Sequence, residues 1–136
     1  MLGALIPWPG AFRRALASVL PFDELRRALV LDARFMRPLR ALGHTVVLSD
    51  LGPRPPDGEP VRLLCAKVPS RDAPDDLIAL CRRYAGWLPQ GGIVVLRGTA
   101  SDRQRIGAAL LHAGLCDIRQ ARIGRGYLTA GLVARD

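Results

Sequence analysis

The stretch that decides the fold is LPQGGIVVLRG at residues 88–98. A helical pattern of apolar residues ends at Pro89, and two glycines follow it. Gly91 and Gly92 suit a helix end, because the chain must there reach left-handed backbone angles that a Cβ disfavours. Residues 93–96 are apolar on both faces, which is typical of a strand buried between two layers of helices. The stretch therefore predicts a helix that leads directly into a central buried strand.

Strands and helices alternate on both sides of this stretch. A capping box at Ser101 and Gln104 is expected to open the helix that follows the central strand, and glycines at 124 and 126 predict a terminal hairpin. The remaining patterns predict helices at 10–20, 37–43 and 74–88 and strands at 28–32, 44–49 and 61–66, with a loop at 33–36. Such alternation predicts a parallel sheet with right-handed crossovers.

The length of 136 residues favours a single domain spanning residues 1–136, of which 1–20 form an N-terminal arm and helix. No apolar run approaches the roughly 20 residues that cross a bilayer. The first 20 residues make a poor secretory signal, because prolines interrupt them and their arginines follow the apolar part. These features predict a cytoplasmic protein.

The formal net charge of +8 would suit an acidic partner such as nucleic acid. Lys67 is the only lysine, however, and a bias towards Arg with Ala, Gly and Pro is also typical of a GC-rich coding sequence. The charge alone therefore does not favour nucleic acid as the partner, and it remains an alternative.

The three cysteines, Cys65, Cys81 and Cys116, are odd in number and far apart. They form no CxxC pair, so the sequence predicts neither a disulfide framework nor a metal site. Cys65 falls in a strand pattern and Cys81 on an apolar helical face, where a free cysteine behaves as a small hydrophobic residue.

Two motifs resemble the class I S-adenosylmethionine-dependent methyltransferases. Residues 77–96 are similar to the family's helix and L-x-P-G-G turn before its fifth strand, with Gln90 in place of a small or basic residue. Residues 113–133 begin with Ala-Gly-Leu, similar to the family's helix end before its final antiparallel hairpin. The resemblance implies a three-layer Rossmann-like α/β fold with a mostly parallel sheet and a C-terminal hairpin. Only one strand is predicted between Asp50 and Pro74, so one strand–helix unit of the family is expected to be missing.

The same resemblance implies a cofactor site at the ends of the strands. The family's first strand runs into a glycine-rich loop, whereas residues 31–38 read LDARFMRP and contain no glycine. We expect Phe35 and Met36 to crowd the space of the cofactor. If the protein is active, the resemblance implies that S-adenosylmethionine contacts five residues: Asp32, Ala33, Asp50, Leu51 and Lys67. The resemblance does not identify a catalytic residue. Asp50 would hold the ribose hydroxyls, although an Asp in Ser-Asp-Leu-Gly-Pro is also an ordinary turn former.

The N-terminal arm contains Leu5, Ile6 and Trp8, with no evident core for them to enter. Apolar residues of this kind mark a partner surface, and packing back onto the sheet explains them equally well. An interaction site at these three residues is therefore one of two hypotheses for the arm.

Three functions fit these features. The favoured hypothesis is a pseudoenzyme: a methyltransferase-like domain that has lost cofactor binding and acts as a protein-interaction or scaffold module, with a protein partner or a second copy of itself. The alternative is an active S-adenosylmethionine-dependent methyltransferase with an atypical cofactor loop. A weaker alternative is a basic, RNA-associated protein of the same fold. The glycine-free loop and the missing unit favour the first.

Overall fold

The structure, a computed structural model, describes residues 8–20, 26–48, 61–68 and 74–134. Four helices and six strands lie in these ranges. The helices are α1 (Trp8–Val19), α2 (Met36–Ala41), α3 (Pro74–Gly86) and α4 (Arg103–His112). The strands are β1 (Arg27–Val30), β2 (Thr45–Leu48), β3 (Leu63–Lys67), β4 (Ile93–Thr99), β5 (Leu115–Ile123) and β6 (Gly126–Val133). None of the described helices is both long and apolar enough to cross a membrane.

The six strands form one mixed sheet in the order β2-β1-β3-β4-β6-β5. The first four strands are parallel to one another. Strand β6 runs antiparallel to both β4 and β5, so β5 and β6 are a terminal hairpin inserted beside β4. The architecture confirms the predicted Rossmann-like fold, with its parallel sheet and its antiparallel end. Within the described ranges, one strand, β3, lies between β2 and α3.

The sheet is buried on both faces, which explains why its central strands are apolar throughout. On β3, Leu63 and Cys65 face a core shared with α1 and α2. Leu64 and Ala66 face a second core shared with α3 and α4. Because successive side chains of a strand point to opposite faces, a strand between two helical layers needs apolar residues at every position.

Two of the three cysteines belong to these cores, as the sequence predicts. Cys65 and Cys81 are fully buried, whereas Cys116 is exposed on β5. Burial raises the pKa of both buried thiols, to about 12 for Cys81. Thiols held in the neutral form are poor nucleophiles and poor metal ligands, so these two residues act as packing groups.

The predicted glycine turn holds the central strand against the terminal hairpin. Gly91 has a φ of +83°, which a side chain would oppose. Its N–H donates to the carbonyl of Val133 at 3.0 Å, and the carbonyl of Gly92 accepts from the N–H of Val133 at 2.8 Å. A Cβ on Gly92 would lie 2.8 Å from the Cβ of Leu88. Both glycines are thus required where helix, strand and hairpin meet.

Two local predictions are wrong. Residues 33–35 form a 3₁₀ turn rather than an open loop, and α2 begins at Met36. The capping box does not form, since neither the 3₁₀ turn at 100–102 nor α4 has a side-chain cap hydrogen bond at its start. Asp102, buried at this point, is engaged by other side chains. The hydroxyl of Thr99 donates to Asp102 at 2.8 Å, Arg105 pairs with it at 2.9 Å, and the hydroxyl of Ser101 contacts that of Thr99.

Candidate functional site

The carboxyl ends of three parallel strands place Asp32, Lys67 and Arg97 at one edge of the sheet. Asp32 follows β1, Lys67 ends β3, and Arg97 lies near the end of β4. Open α/β sheets bind their ligands at this edge, outside the carboxyl ends of the strands. The structure therefore brings two of the predicted cofactor residues, Asp32 and Lys67, to the edge where a site is expected.

The central feature of this edge is an ion pair between Asp32 and Arg97. The Nε of Arg97 donates to Oδ2 of Asp32 at 2.9 Å, and the two side chains are only 13% and 16% exposed. Since β3 lies between β1 and β4 in the sheet, this contact bridges the end of β3. The other carboxylate oxygen of Asp32 accepts the backbone N–H of Arg34 at 3.2 Å. Both oxygens of Asp32 are thus engaged by the protein itself.

The turn after β1 is fixed by an aromatic residue. Phe35 is fully buried, and its ring meets the ring of Phe12 edge-on with centroids 5.1 Å apart. The expectation that Phe35 crowds a cofactor space is therefore wrong, because its side chain enters the core between α1 and the sheet. Anchoring by Phe35 accounts for a tight turn that contains no glycine.

Lys67 lines a cavity of about 250 Å³ at the same edge. Arg97 and Arg125 line it as well, together with Gly98 and Gly126. Lys67 and Arg125 are exposed, and no hydrogen bond or ion pair of either side chain occurs within the described part of the chain. The cavity is thus positively charged. Arg97 connects it to Asp32, whose carboxylate it neutralises.

A second cavity, of about 430 Å³, lies along α2 and the turn before it. Three exposed arginines, Arg34, Arg37 and Arg40, line it. The rest of its lining consists of Phe12, Ala33, Met36 and Pro38. Sequence reasoning missed this cavity, although the spacing of three residues between the arginines was visible. One predicted cofactor residue, Ala33, lines this cavity. Met36, which we expected to crowd the cofactor, lines the cavity too and is half-buried against the core.

A buried polar cluster around Arg26 lies at the other end of the parallel strands, where they begin. Its Nη1 donates to the carbonyls of Gly91 at 3.0 Å and Arg62 at 3.3 Å. Its backbone N–H donates to Nδ1 of His44 at 2.9 Å. Burial is the main cause that lowers the pKa of His44, and the nearby charge of Arg26 lowers it further. This cluster joins the starts of β1, β2, β3 and β4 and lies away from the edge with the ion pair.

The side chains of the remaining predicted site residues fall outside the described part of the chain. Asp50, Leu51, Leu5 and Ile6 fall outside the described residues. Trp8 is the first residue of α1, but its side chain also falls outside them. Among the residues that are described, no group of three or more His, Cys, Asp or Glu side chains could hold a metal ion.

Together, the sheet order and the hairpin define a methyltransferase-type Rossmann-like fold. No protein-family model matches the sequence, and no curated protein does. Many solved structures share the fold, and class I S-adenosylmethionine-dependent methyltransferases are prominent among them.

Human N-acetylserotonin methyltransferase in complex with S-adenosylmethionine is similar over 98% of this chain and 55% of its own, with a TM-score of 0.71 at 12% identity. A methyltransferase from Pyrococcus furiosus is similar over 93% and 83%, with a TM-score of 0.59 at 13% identity. The Methanococcus jannaschii fibrillarin pre-rRNA processing protein is similar over 95% and 77%, with a TM-score of 0.59 at 14% identity. The chain thus spans about half the length of the human enzyme, and identities this low show a shared fold alone.

Proposed function

We propose that this chain keeps the methyltransferase fold without binding S-adenosylmethionine and acts as a protein-interaction module. The observation that carries the proposal is the ion pair between Asp32 and Arg97 at the end of β1. In the shared fold, the cofactor enters at this end of the sheet through a glycine-rich turn. Here the turn is closed by contacts of the protein with itself.

The residues at this edge do not fit the cofactor. S-adenosylmethionine carries a positive sulfonium, and the guanidinium of Arg97 already neutralises Asp32. A glycine-rich turn admits a ligand because its backbone is accessible, whereas the N–H of Arg34 is engaged by Asp32. A cofactor at this position would have to displace a partly buried ion pair. The carboxylate that follows β4, Asp102, is itself engaged by Thr99 and Arg105.

The proposed partner surface is either the N-terminal arm or the outer side of β2, a lateral edge strand of the sheet. Within the described residues, β2 pairs only with β1, so its outer side is an edge. An edge strand with free N–H and C=O groups can accept a strand from a partner. Leu5, Ile6 and Trp8 would supply the apolar contacts of the arm. The partner is a second protein or a second copy of this chain.

Isothermal titration with S-adenosylmethionine and S-adenosylhomocysteine tests the loss of cofactor binding. We expect no saturable heat up to millimolar ligand from the wild-type chain, under conditions in which an active methyltransferase gives a normal isotherm. Arg97→Gln removes the ion pair that the cofactor would have to displace, so binding should appear, if at all, in this variant and not in the wild-type chain. Micromolar binding by the wild-type chain that is lost in Asp50→Ala would overturn the proposal.

That result would favour the second candidate, an active methyltransferase with an atypical loop. Its support is the fold shared with a human enzyme whose structure contains S-adenosylmethionine. In this candidate the cofactor contacts are Asp32, Ala33, Asp50, Leu51 and Lys67, and Arg97 must release Asp32 before the ligand enters.

The interaction surface is tested by comparing the full chain with a variant that lacks residues 1–7. Helix α1 begins at Trp8 and buries Phe12, so a longer deletion would damage the fold. We expect size-exclusion chromatography with light scattering to show self-association, or pull-down to show a stoichiometric partner, for the full chain but not for the shortened one. An unchanged mass and partner after the deletion would contradict a role for the arm.

A further inference from the structure

The cavity beside α2 combines a row of cations with an apolar floor. Arg34, Arg37 and Arg40 all line it and all are exposed. Successive arginines are three residues apart, which is a rise of about 4.5 Å along an α-helix and somewhat more in a 3₁₀ turn. Because all three arginines line one cavity, they concentrate positive charge along α2.

Among the described residues, no carboxylate forms an ion pair with these three arginines. In the described ranges, the acidic side chains that form ion pairs are engaged elsewhere, Asp32 by Arg97, Asp102 by Arg105 and Asp117 by Arg119. Three neighbouring cations without a counter-charge repel one another, which costs free energy in the isolated protein. An anion with several charges would relieve that repulsion, whereas a single carboxylate would engage only part of the row.

The volume and lining of the cavity restrict the chemical class of the ligand further. About 430 Å³ accommodates one flat heterocycle, and Ala33, Met36 and Pro38 provide an apolar surface for it. Arginine guanidinium planes and apolar side chains are the groups on which unstacked bases lie in single-stranded complexes. A duplex keeps its bases stacked inside, and α2 has only six residues, too short to serve as a recognition helix in a groove.

From these observations we propose that the cavity beside α2 binds single-stranded nucleic acid, with one base in the cavity and successive phosphates on Arg34, Arg37 and Arg40. The site lies along α2, apart from the cavity that Lys67 lines. The site shares Ala33 with the cofactor contacts of the second candidate. Its test uses oligonucleotides without cofactor, so that test and the cofactor titration can fail independently.

Fluorescence anisotropy with labelled ten-nucleotide oligouridylate and oligothymidylate, from 50 to 300 mM salt, tests the site. Single-stranded binding weakens with salt by a log–log slope of about −0.7 per phosphate contact, so three contacts give about −2. Replacing Arg34, Arg37 and Arg40 together by Gln should reduce affinity at least about tenfold and remove about 2 from that slope.

The matched control replaces Arg62, Arg83 and Arg122 by Gln. These arginines are also exposed but lie away from the cavity, and both triple variants lower the net charge of +8 by three. We expect the control to lose less than about threefold in affinity. An equal loss in the two variants would overturn the proposal, because binding would then follow net charge alone.

A variant that leaves the protein charge unchanged distinguishes the contribution of the base to binding from that of the phosphates. Ala33→Phe fills the cavity and leaves every arginine in place. It should therefore lower the affinity for the oligonucleotides several-fold and leave the salt dependence of binding unchanged. Inorganic polyphosphate, which has no base, should bind the wild type more weakly than an oligonucleotide of the same charge. Equal binding of polyphosphate or polyglutamate, or no oligonucleotide binding by the wild type at 50 mM salt, would overturn the proposal.

Discussion

At the scale of single residues, the proposed loss of cofactor binding rests on the contacts of Asp32. Its carboxylate lies at the end of β1 and is engaged by Arg97 and by the backbone N–H of Arg34. Sequence reasoning found Asp32 but not Arg97. The two residues are 65 positions apart, and only the strand order brings their side chains together.

The ion pair should contribute measurably to stability. Exposed pairs contribute about 0 to 1 kcal/mol and breaking a buried pair costs about 3 to 5 kcal/mol. For this partly buried pair we therefore expect Asp32→Asn to lower the free energy of unfolding by about 1 to 2 kcal/mol, measured by urea denaturation. Once Arg97→Gln has removed the partner, the same change should cost less.

Asp117→Asn is the matched control. Its pair with Arg119 is longer, at 3.3 Å, and is 45% and 43% exposed. Asp117 has a φ of +51°, a conformation that Asn tolerates well. We expect this change to cost less than about 0.5 kcal/mol. Equal costs at the two sites would show that burial gives the Asp32 pair no additional strength.

His44 should make stability depend on pH. Its Nδ1 accepts the N–H of Arg26, which requires the neutral ring, and burial holds the pKa of His44 below its ordinary value of 6.5. The contribution of His44 to the free energy of unfolding is therefore fully present above about pH 6.5. It is lost as the pH falls from there towards the pKa of His44 in the folded state. The slope can reach about 1.4 kcal/mol per pH unit.

Urea denaturation between pH 7.5 and 5 measures this dependence. His44→Asn, whose side-chain oxygen can accept the same N–H, should flatten it. The matched variant His112→Asn, at the exposed end of α4, should leave it as in the wild type. A wild-type curve that His44→Asn does not flatten would assign the dependence to other groups.

At the scale of elements, the strands and helices were largely predictable and the turns between them were not. Residues 93–96 and 61–66 were recognised because burial on both faces leaves an unbroken apolar run. The turn at 33–35 was missed because it depends on Phe35 packing against Phe12. The predicted cap of α4 was wrong because the side chains there bond to one another and not to the helix N–H groups. Such choices are made by tertiary contacts, which local patterns do not contain. The row of arginines along α2 was visible, but its cavity was not.

The packing of α4 on β4 depends on a missing side chain at Gly98. A Cβ there would lie 2.4 Å from Cδ1 of Ile106, which is itself fully buried. Gly98→Ala should therefore cost about 1 to 3 kcal/mol through overpacking, measured by thermal or urea unfolding. Gly86→Ala, at the end of α3 with open space around it, should be neutral or stabilising. A neutral Gly98→Ala would mean that α4 can move away from β4 without cost.

At the scale of the whole molecule, one sheet serves two cores. Leu16 on α1 lies in the first core and Leu110 on α4 in the second, and both are fully buried. The two helical layers contact opposite faces of β3 and β4. Neither layer has a sheet of its own, so losing one core removes half of the support for the strands that the other core needs. The fold should therefore unfold as one cooperative unit.

Leucine-to-alanine changes in the two cores test this cooperativity. Leu16→Ala and Leu110→Ala should each lower the free energy of unfolding by about 2 to 5 kcal/mol, because each leaves a cavity. Leu111→Ala, one residue further along α4 and 58% exposed, should change it by less than about 0.5 kcal/mol. In all three variants the far-UV and near-UV circular dichroism transitions should coincide. A separate early transition in Leu16→Ala would show that α1 and α2 can detach while the second core holds the sheet, and the closed turn at Asp32 would then be free to open.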